Sequence, residues 1–431
     1  MVWVLYAPED GTFPRVVEAW VPYQLQWELP QTDRDGVMII QPLLKSVDAR
    51  VISPRKLMVR ACVEALGEAL EPVRIDTYYP EQLPENICLL RKTYPMCIPS
   101  ESGEKTVTLE EELQLPPECT DAGKLIRYCL HPQIQKQKLV GNRLLFRGVA
   151  ILQGLCRCPE DRLCAFSYEL PFSQYTELDR EAGEDASVQV TPAVTDLELD
   201  ILGEGKLRLK ASLVGQYLVC ERKMLDIVED AYSPGAQVQL QMQPLQLPAV
   251  LEMEIQSLQA EVTQEVDAGE WIDTAFYVGQ PEQQHRDNQR EIQLCGGFQG
   301  LYRNAEGALQ SAFIKWEQNQ QIPAADSTTL CIGAAPVNLP EHRYTAGSMQ
   351  LSSGFALQRK VLSSEEIPMV TGLEVRPEEN GQERPSLILR RAGKASLWEI
   401  AKEYGSTEEA IRQANGIAEP KADQVLLIPV M

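Results

Sequence analysis

Apolar and polar residues alternate with period two over long stretches of the chain. Leu207, Leu209, Ala211 and Leu213 alternate with Arg208, Lys210 and Ser212; Leu197, Leu199 and Ile201 alternate with Glu198 and Asp200 just before them. Gly203-Glu204-Gly205 joins the two runs. Such alternation across a Gly-rich link predicts an antiparallel hairpin with one buried and one wet face. Leu139-Val140, Gly141-Asn142 and Leu144 to Ile151 predict another. Thr106 to Pro117 reads as an extended arm, and the Gln-rich stretch from Tyr277 to Asn288 as a loop.

The alternating pattern also repeats. Lys56-Leu57-Met58-Val59-Arg60-Ala61 matches Lys206-Leu207-Arg208-Leu209-Lys210-Ala211, and Pro42 matches Pro192 at the same spacing. Pro8-Glu9-Asp10 faces Pro159-Glu160-Asp161. A third, more divergent copy places Asn304-Ala305-Glu306-Gly307 at the turn and Met349 to Phe355 where Leu207 to Leu213 stand. The expected fold is mostly β, with tandem antiparallel sandwich or barrel-like repeats over residues 1–90, 105–232 and 245–375. A polar linker, 376–384, follows them.

From Pro385 the pattern changes to β-α-α-β, a small α+β module over 385–431. Leu387-Ile388-Leu389 reads as a strand, and Ser396 with Glu399 as a capping box. Leu397, Ile400, Ala401 and Tyr404 share a helical face that Gly405 ends. A second helix from about Thr407 to Ala414 is stopped by Asn415-Gly416, and Val425 to Pro429 supply the returning strand.

Charge narrows the list of partners. With 40 Lys and Arg against 62 Asp and Glu, the net charge of −22 repels phosphate backbones and anionic membranes, so no nucleic acid is expected. No run of eighteen apolar residues exists, so no membrane insertion is expected either. The first residues lack the basic region of a signal peptide, and the 11 scattered cysteines suit a reducing compartment. Both point to the cytoplasm.

Signs of catalysis are missing from the sequence. His131, His285 and His342 have no partner at i+3 or i+4, and no phosphate loop or nucleophile elbow occurs. Cys156-Arg157-Cys158 with Cys164 is the densest thiol cluster, but no second pair follows at zinc-ligand spacing. The expectation is a protein that is not an enzyme, with no catalytic residues, no metal site and no cofactor.

Two resemblances sharpen this reading. Leu397-Trp398-x-Ile400-Ala401, Tyr404-Gly405, Ala414-Asn415-Gly416-Ile417 and Leu427-Ile428-Pro429 make the last segment similar to LysM domains. That resemblance implies a groove for N-acetylglucosamine polymers lined by Gly393, Lys394, Ala395, Ser396, Leu397, Asn415, Gly416, Ile417 and Ala418. The usual Gly-Asp-Thr-Leu opening is here Gly393-Lys394-Ala395-Ser396-Leu397, and Ala422-Asp423 replaces Pro-Gly before the last strand. Both departures fall in the loops that would touch sugar, so glycan and protein stay open as ligands.

The β repeats resemble the SPOCS domain of spore coat assembly proteins. The likeness rests on Leu109-Glu110-Glu111-Glu112, Leu115-Pro116-Pro117, Lys138 to Gly148, Tyr168 to Ser173, Val188-Gln189-Val190 and Lys206 to Ala211. It implies a non-catalytic scaffold in sporulation, acting at the mother-cell side of the forespore surface. Its implied partner is the ATPase of the coat basement layer or another coat protein. The first repeat lacks the family's opening arm and first hairpin, because Met1 falls just before its Pro8 turn. The alternative is a cell-wall protein that binds peptidoglycan through LysM, which would require a signal peptide lost upstream of Met1.

Overall fold

Strands make up most of the computed structural model and helices little, as period-two alternation requires. It describes residues 2–6, 15–26, 28, 37–71, 74–76, 78, 86–245, 250–267, 270–286, 289–321, 328–345, 347–362, 366–377, 385–421 and 423–431. Two compact units divide the chain: Met1–Pro72, Cys97–Arg222 and Val250–Leu362 form one, and Val73–Met96, Lys223–Ala249 and Ser363–Met431 the other.

In the first unit β1 (Val2–Tyr6) pairs with β2 (Arg15–Ala19), and β3 (Val37–Ser53) with β4 (Lys56–Leu70), all antiparallel. The long strand β5 (Cys88–Gln114) contributes Cys97–Gln114 to this unit. Then come β6 (Lys124–Val140), β7 (Arg143–Arg157) and β8 (Leu163–Glu177), a three-stranded sheet in sequence order. The hairpin of β9 (Ser187–Gly203) and β10 (Lys206–Tyr232) completes a second sheet in the order β5-β10-β9.

The same scheme recurs downstream. After β11 (Ala236–Leu245), β12 (Val250–Glu265) plays the part of β5. β13 (Glu270–Val278) and β14 (Glu282–Arg286) both pair with β15 (Gln289–Arg303), as an interrupted β6 would pair with β7. β16 (Leu309–Gln321) flanks β15 on its other side. β17 (Thr328–Pro336) and β18 (Glu341–Thr345) then pair with β19 (Ser348–Leu362), which also pairs with β12.

One expectation needs correction here. Tyr277 to Asn288 is not a loop: β13 runs to Val278, and Glu282–Arg286 form β14. Glu282, Gln283 and Gln284 are exposed, so their polarity records solvent contact on a paired strand, not a lack of strand. Asp287 and Asn288, like Pro8-Glu9-Asp10 and residues 378–384 of the linker, lie outside the described residues.

The predicted hairpins are present in register. Leu207, Leu209, Ala211 and Leu213 are buried together with Leu144, Phe146, Leu152 and Phe172 in one core. The link between β9 and β10 needs positive φ at three successive residues: Gly203 (95°), Glu204 (52°) and Gly205 (73°). Glycine at the two outer positions removes most of the steric cost. The recurrent scheme downstream buries its own core around Phe276, Phe298, Trp316 and Phe355.

Three hairpins of this unit close on one another. Gln41 pairs with Leu66, Thr191 with Gln216, and Gly333 with Gln358, so the three sites are equivalent by register. The Gln216 amide donates to the Ile40 carbonyl at 2.9 Å, and its oxygen accepts from the Ile40 N–H at 3.0 Å. Gln189 donates to Gln358 at 3.1 Å, and Lys360 pairs with Glu68. First meets second, second meets third, and third returns to first.

The second unit holds Cys88–Met96 of β5, Lys223–Tyr232 of β10, and a ladder between β11 and β20 (Ile367–Pro377). Its last part is β21 (Leu387–Arg391), α1 (Leu397–Tyr404), α2 (Glu408–Asn415) and β22 (Val425–Pro429), with β21 antiparallel to β22. The capping box forms as expected: the Glu399 N–H donates to Ser396 Oγ at 3.2 Å, and Glu399 accepts from the Ser396 N–H at 2.8 Å. Gly405 and Gly416 end the helices at φ 62° and 61°.

Candidate binding site in the C-terminal module

Short helices need packing to persist, and each of these has only eight residues. Ile400, Ala401, Ile411, Leu426 and Ile428 supply that packing, all buried in one cluster. Tyr232 of β10 belongs to the same cluster, with Cys88 and Leu90 of β5 packed against it. The module's core is therefore completed by residues far upstream in sequence.

Polar contacts fix this attachment. Tyr232 stacks edge-on against Trp398, centroids 4.7 Å apart, and its hydroxyl donates to the Ser406 carbonyl at 3.0 Å. Burial pushes the Tyr232 phenol above its ordinary range, which keeps it a neutral donor. Asp230 accepts from the Trp398 indole at 2.9 Å and from the Lys402 ammonium at 2.7 Å. None of these four contacts was visible in the sequence, because Asp230 and Tyr232 lie in an ordinary alternating strand.

The nine residues expected to line a groove divide into two sets. Gly393, Lys394, Ser396, Gly416 and Ala418 are exposed, and Ala395 and Ile417 are half-buried against the core. A side chain added at Gly393 or Gly416 would meet open space, although both hold positive φ. Leu397 does not line a surface: it is 2% exposed and faces the core, as the first apolar position of α1 must. Asn415 is spent on structure. Its amide donates to Ile411 at 2.8 Å and Leu427 at 2.7 Å, and its oxygen accepts from the Leu427 N–H at 2.8 Å.

What remains exposed is a pair of short loops, 393–396 and 416–418. Arg412 holds the second by donating to the Ala418 carbonyl at 3.0 Å. On the acidic capping residue, the Ser396 N–H and hydroxyl hold the Glu399 carboxyl below its ordinary range. Chemically this surface offers main-chain groups and one ammonium, the Ser396 hydroxyl being engaged with Glu399. It suits recognition by hydrogen bonds and shape.

In the first unit, a shallow open groove of about 570 Å³ is lined by Gln137, Lys138, Gly141, Glu181, Glu184 and Val188, among others. Gln137 seals the edge of β6 against β9, donating to the Val188 carbonyl at 2.7 Å and accepting from the Val190 N–H at 3.0 Å. Among the described residues, no helix is long and apolar enough to cross a membrane.

Two families of non-catalytic binding modules match parts of this chain. Residues 396–429 match the LysM domain family, and residues 121–202 match the family described as SipL, SPOCS domain. The chain thus carries a SPOCS domain and a C-terminal LysM domain, as the sequence motifs implied. No curated protein and no solved structure matches the chain.

Proposed function

We propose that the chain is a scaffold of spore coat assembly, working at the mother-cell side of the forespore surface. On this reading SPOCS-like repeats over about 1–90, 105–232 and 245–375 and the LysM domain over 385–431 hold coat proteins together. The basement-layer ATPase or another coat protein is the partner. The observation that carries the reading is a SPOCS match and a LysM match in one chain.

A second reading, binding of peptidoglycan, is favoured by the exposed loops 393–396 and 416–418. One experiment separates the two. The full chain is tested for co-sedimentation with insoluble peptidoglycan and for capture of the basement-layer ATPase, beside the exposed-loop variants Lys394→Glu and Ala418→Glu. ATPase capture without sedimentation supports the scaffold. Sedimentation that the loop variants abolish, without capture, replaces it with the cell-wall reading.

A further inference from the structure

Three of the β-sheets in the first unit differ by one strand. In β6-β7-β8 the middle strand is paired along both edges. Downstream, β15 likewise has β13 and β14 along one edge and β16 along the other. β1 has β2 along one edge, and among the described residues no strand pairs with its other edge. An open edge is a row of backbone N–H and C=O groups ready to pair with another strand. The five residues of β1 are all half-buried, so the edge is set against the rest of the unit and does not stand free in solvent.

The three sheets meet in one apolar cluster. Ile126, Leu155 and Leu163 form its buried centre; Ile272, Leu301 and Leu309 of the downstream sheet pack against it, and so do Leu5 and Val16. Register makes the first two contributions equivalent. Ile126 lies at a bulge on β6 next to Arg127, which faces Leu155; Ile272 lies at a bulge on β13 next to Asp273, which faces Leu301. Leu163 and Leu309 hold matching places opposite Arg157 and Arg303. Arg127 and Asp273 form an ion pair, so the outer strands β6 and β13 also touch each other. The sheet of β1 and β2 supplies Leu5 and Val16, directly opposite one another. Among the described residues it adds nothing in the place of Ile126 and Ile272. Trp3 lies against Tyr128 of β6, ring centroids 5.4 Å apart, which fixes β1 beside the other outer strands.

We propose that the open edge of β1 receives a basic β-strand from a partner protein, which sets an apolar residue beside Leu5 and Val16. In strand addition of this kind main-chain hydrogen bonds supply affinity, and alternate side chains supply specificity. The two complete sheets define the occupant: an antiparallel outer strand with a branched apolar residue at a bulge. Charge selects its sign. β6, which fills this place beside β7, holds Lys124, Arg127, Lys136 and Lys138 and no Asp or Glu. Glu18 is exposed on β2 opposite Trp3, and the chain as a whole carries a net charge of −22. A basic strand is therefore drawn to the edge, and an acidic one repelled. The edge goes beyond either functional reading, since it uses neither of the loops 393–396 and 416–418.

The test uses the full chain and, as probe, a labelled peptide of its own β6 sequence, Lys124–Val140, with Cys129→Ser to prevent oxidation. Fluorescence anisotropy should show saturable binding of one peptide per chain. Amide exchange in Val2–Tyr6 should slow on binding while that in β7 and β8 stays fixed, which separates addition at β1 from replacement of the chain's own β6. Ile126→Asp in the peptide should weaken binding at least about tenfold, the worth of burying one large apolar side chain. A peptide with Lys124→Glu and Arg127→Glu should also bind more weakly, and equal binding would overturn the choice of a basic partner. A folded chain that leaves the peptide unbound, or binds it with no change of exchange in Val2–Tyr6, overturns the proposal.

Discussion

Lys360, with 1% of its side chain exposed, gives its ammonium to the carboxylate of Glu68 where the third hairpin returns to the first. A buried cation left without its partner costs several kcal/mol, whereas an apolar pair of similar volume costs little or can stabilise. Glu68→Gln is therefore expected to lower stability by about 3 kcal/mol. The double variant Glu68→Leu with Lys360→Met should recover most of that loss. Urea unfolding of the three proteins checks it. Equal midpoints for wild type and Glu68→Gln would remove the pair from any role in closing the ring.

Trp398 joins the C-terminal domain to Tyr232 and Asp230. Trp398→Ala removes a buried aromatic and leaves a cavity, at about 3–5 kcal/mol. Asp230→Ala is the more informative change. It deletes the acceptor of the Trp398 indole and of the Lys402 ammonium without touching Ile400, Ile411 or Ile428. Amide exchange in residues 397–404 is expected to rise while that in β6 to β8 stays fixed. Unchanged exchange in α1 would show that the domain holds together without this anchor.

Most of the local structure was legible because it follows from periodicity and caps. The alternation at Leu207 to Leu213, the glycines at 203 and 205, and the Ser396–Glu399 box each act over a few residues, and each took the expected form. What was not legible is set by long-range pairing. Glu282 to Arg286 reads as a loop until Gln289–Gln293 is present to pair with it. Leu397 and Asn415 sit at loop edges in sequence, yet one fills the core and the other brackets α2 to β22. Asp230 and Tyr232 carry no motif at all. Their partners are fixed by which strands meet.

Gly154 is a position where the fold leaves no room for a side chain. A methyl group there would lie 2.1 Å from the ring of Phe166, the residue opposite it on β8. Phe166 is 5% exposed and part of the main core, so it cannot swing into solvent without unpacking. Gly154→Ala should cost about 1–3 kcal/mol through overpacking. The companion change Phe166→Leu in the Gly154→Ala background should regain part of it. Thermal unfolding of the two variants decides the point, and a neutral Gly154→Ala would mean that the ring moves freely.

His131 gives the fold a pH dependence of known sign. It sits on β6 opposite Ile151, where burial first and the Arg127 guanidinium second push its pKa below the ordinary 6.5. Asp273 engages that guanidinium in an ion pair, which keeps the positive charge in place near the imidazole. An unfolded His131 takes up its proton near pH 6.5, while the folded one still refuses it. Between the folded pKa and 6.5 the unfolded chain binds more protons, so stability rises with pH there. The full contribution is present above about pH 7 and is lost as pH falls from 6.5 through the folded value. Carboxylates in the usual range titrate lower, so the comparison of wild type with His131→Gln from pH 7.5 to 5.5 isolates the imidazole. The urea midpoint of wild type should fall more steeply with acid than that of His131→Gln. Parallel curves would mean that His131 takes its proton as readily folded as unfolded.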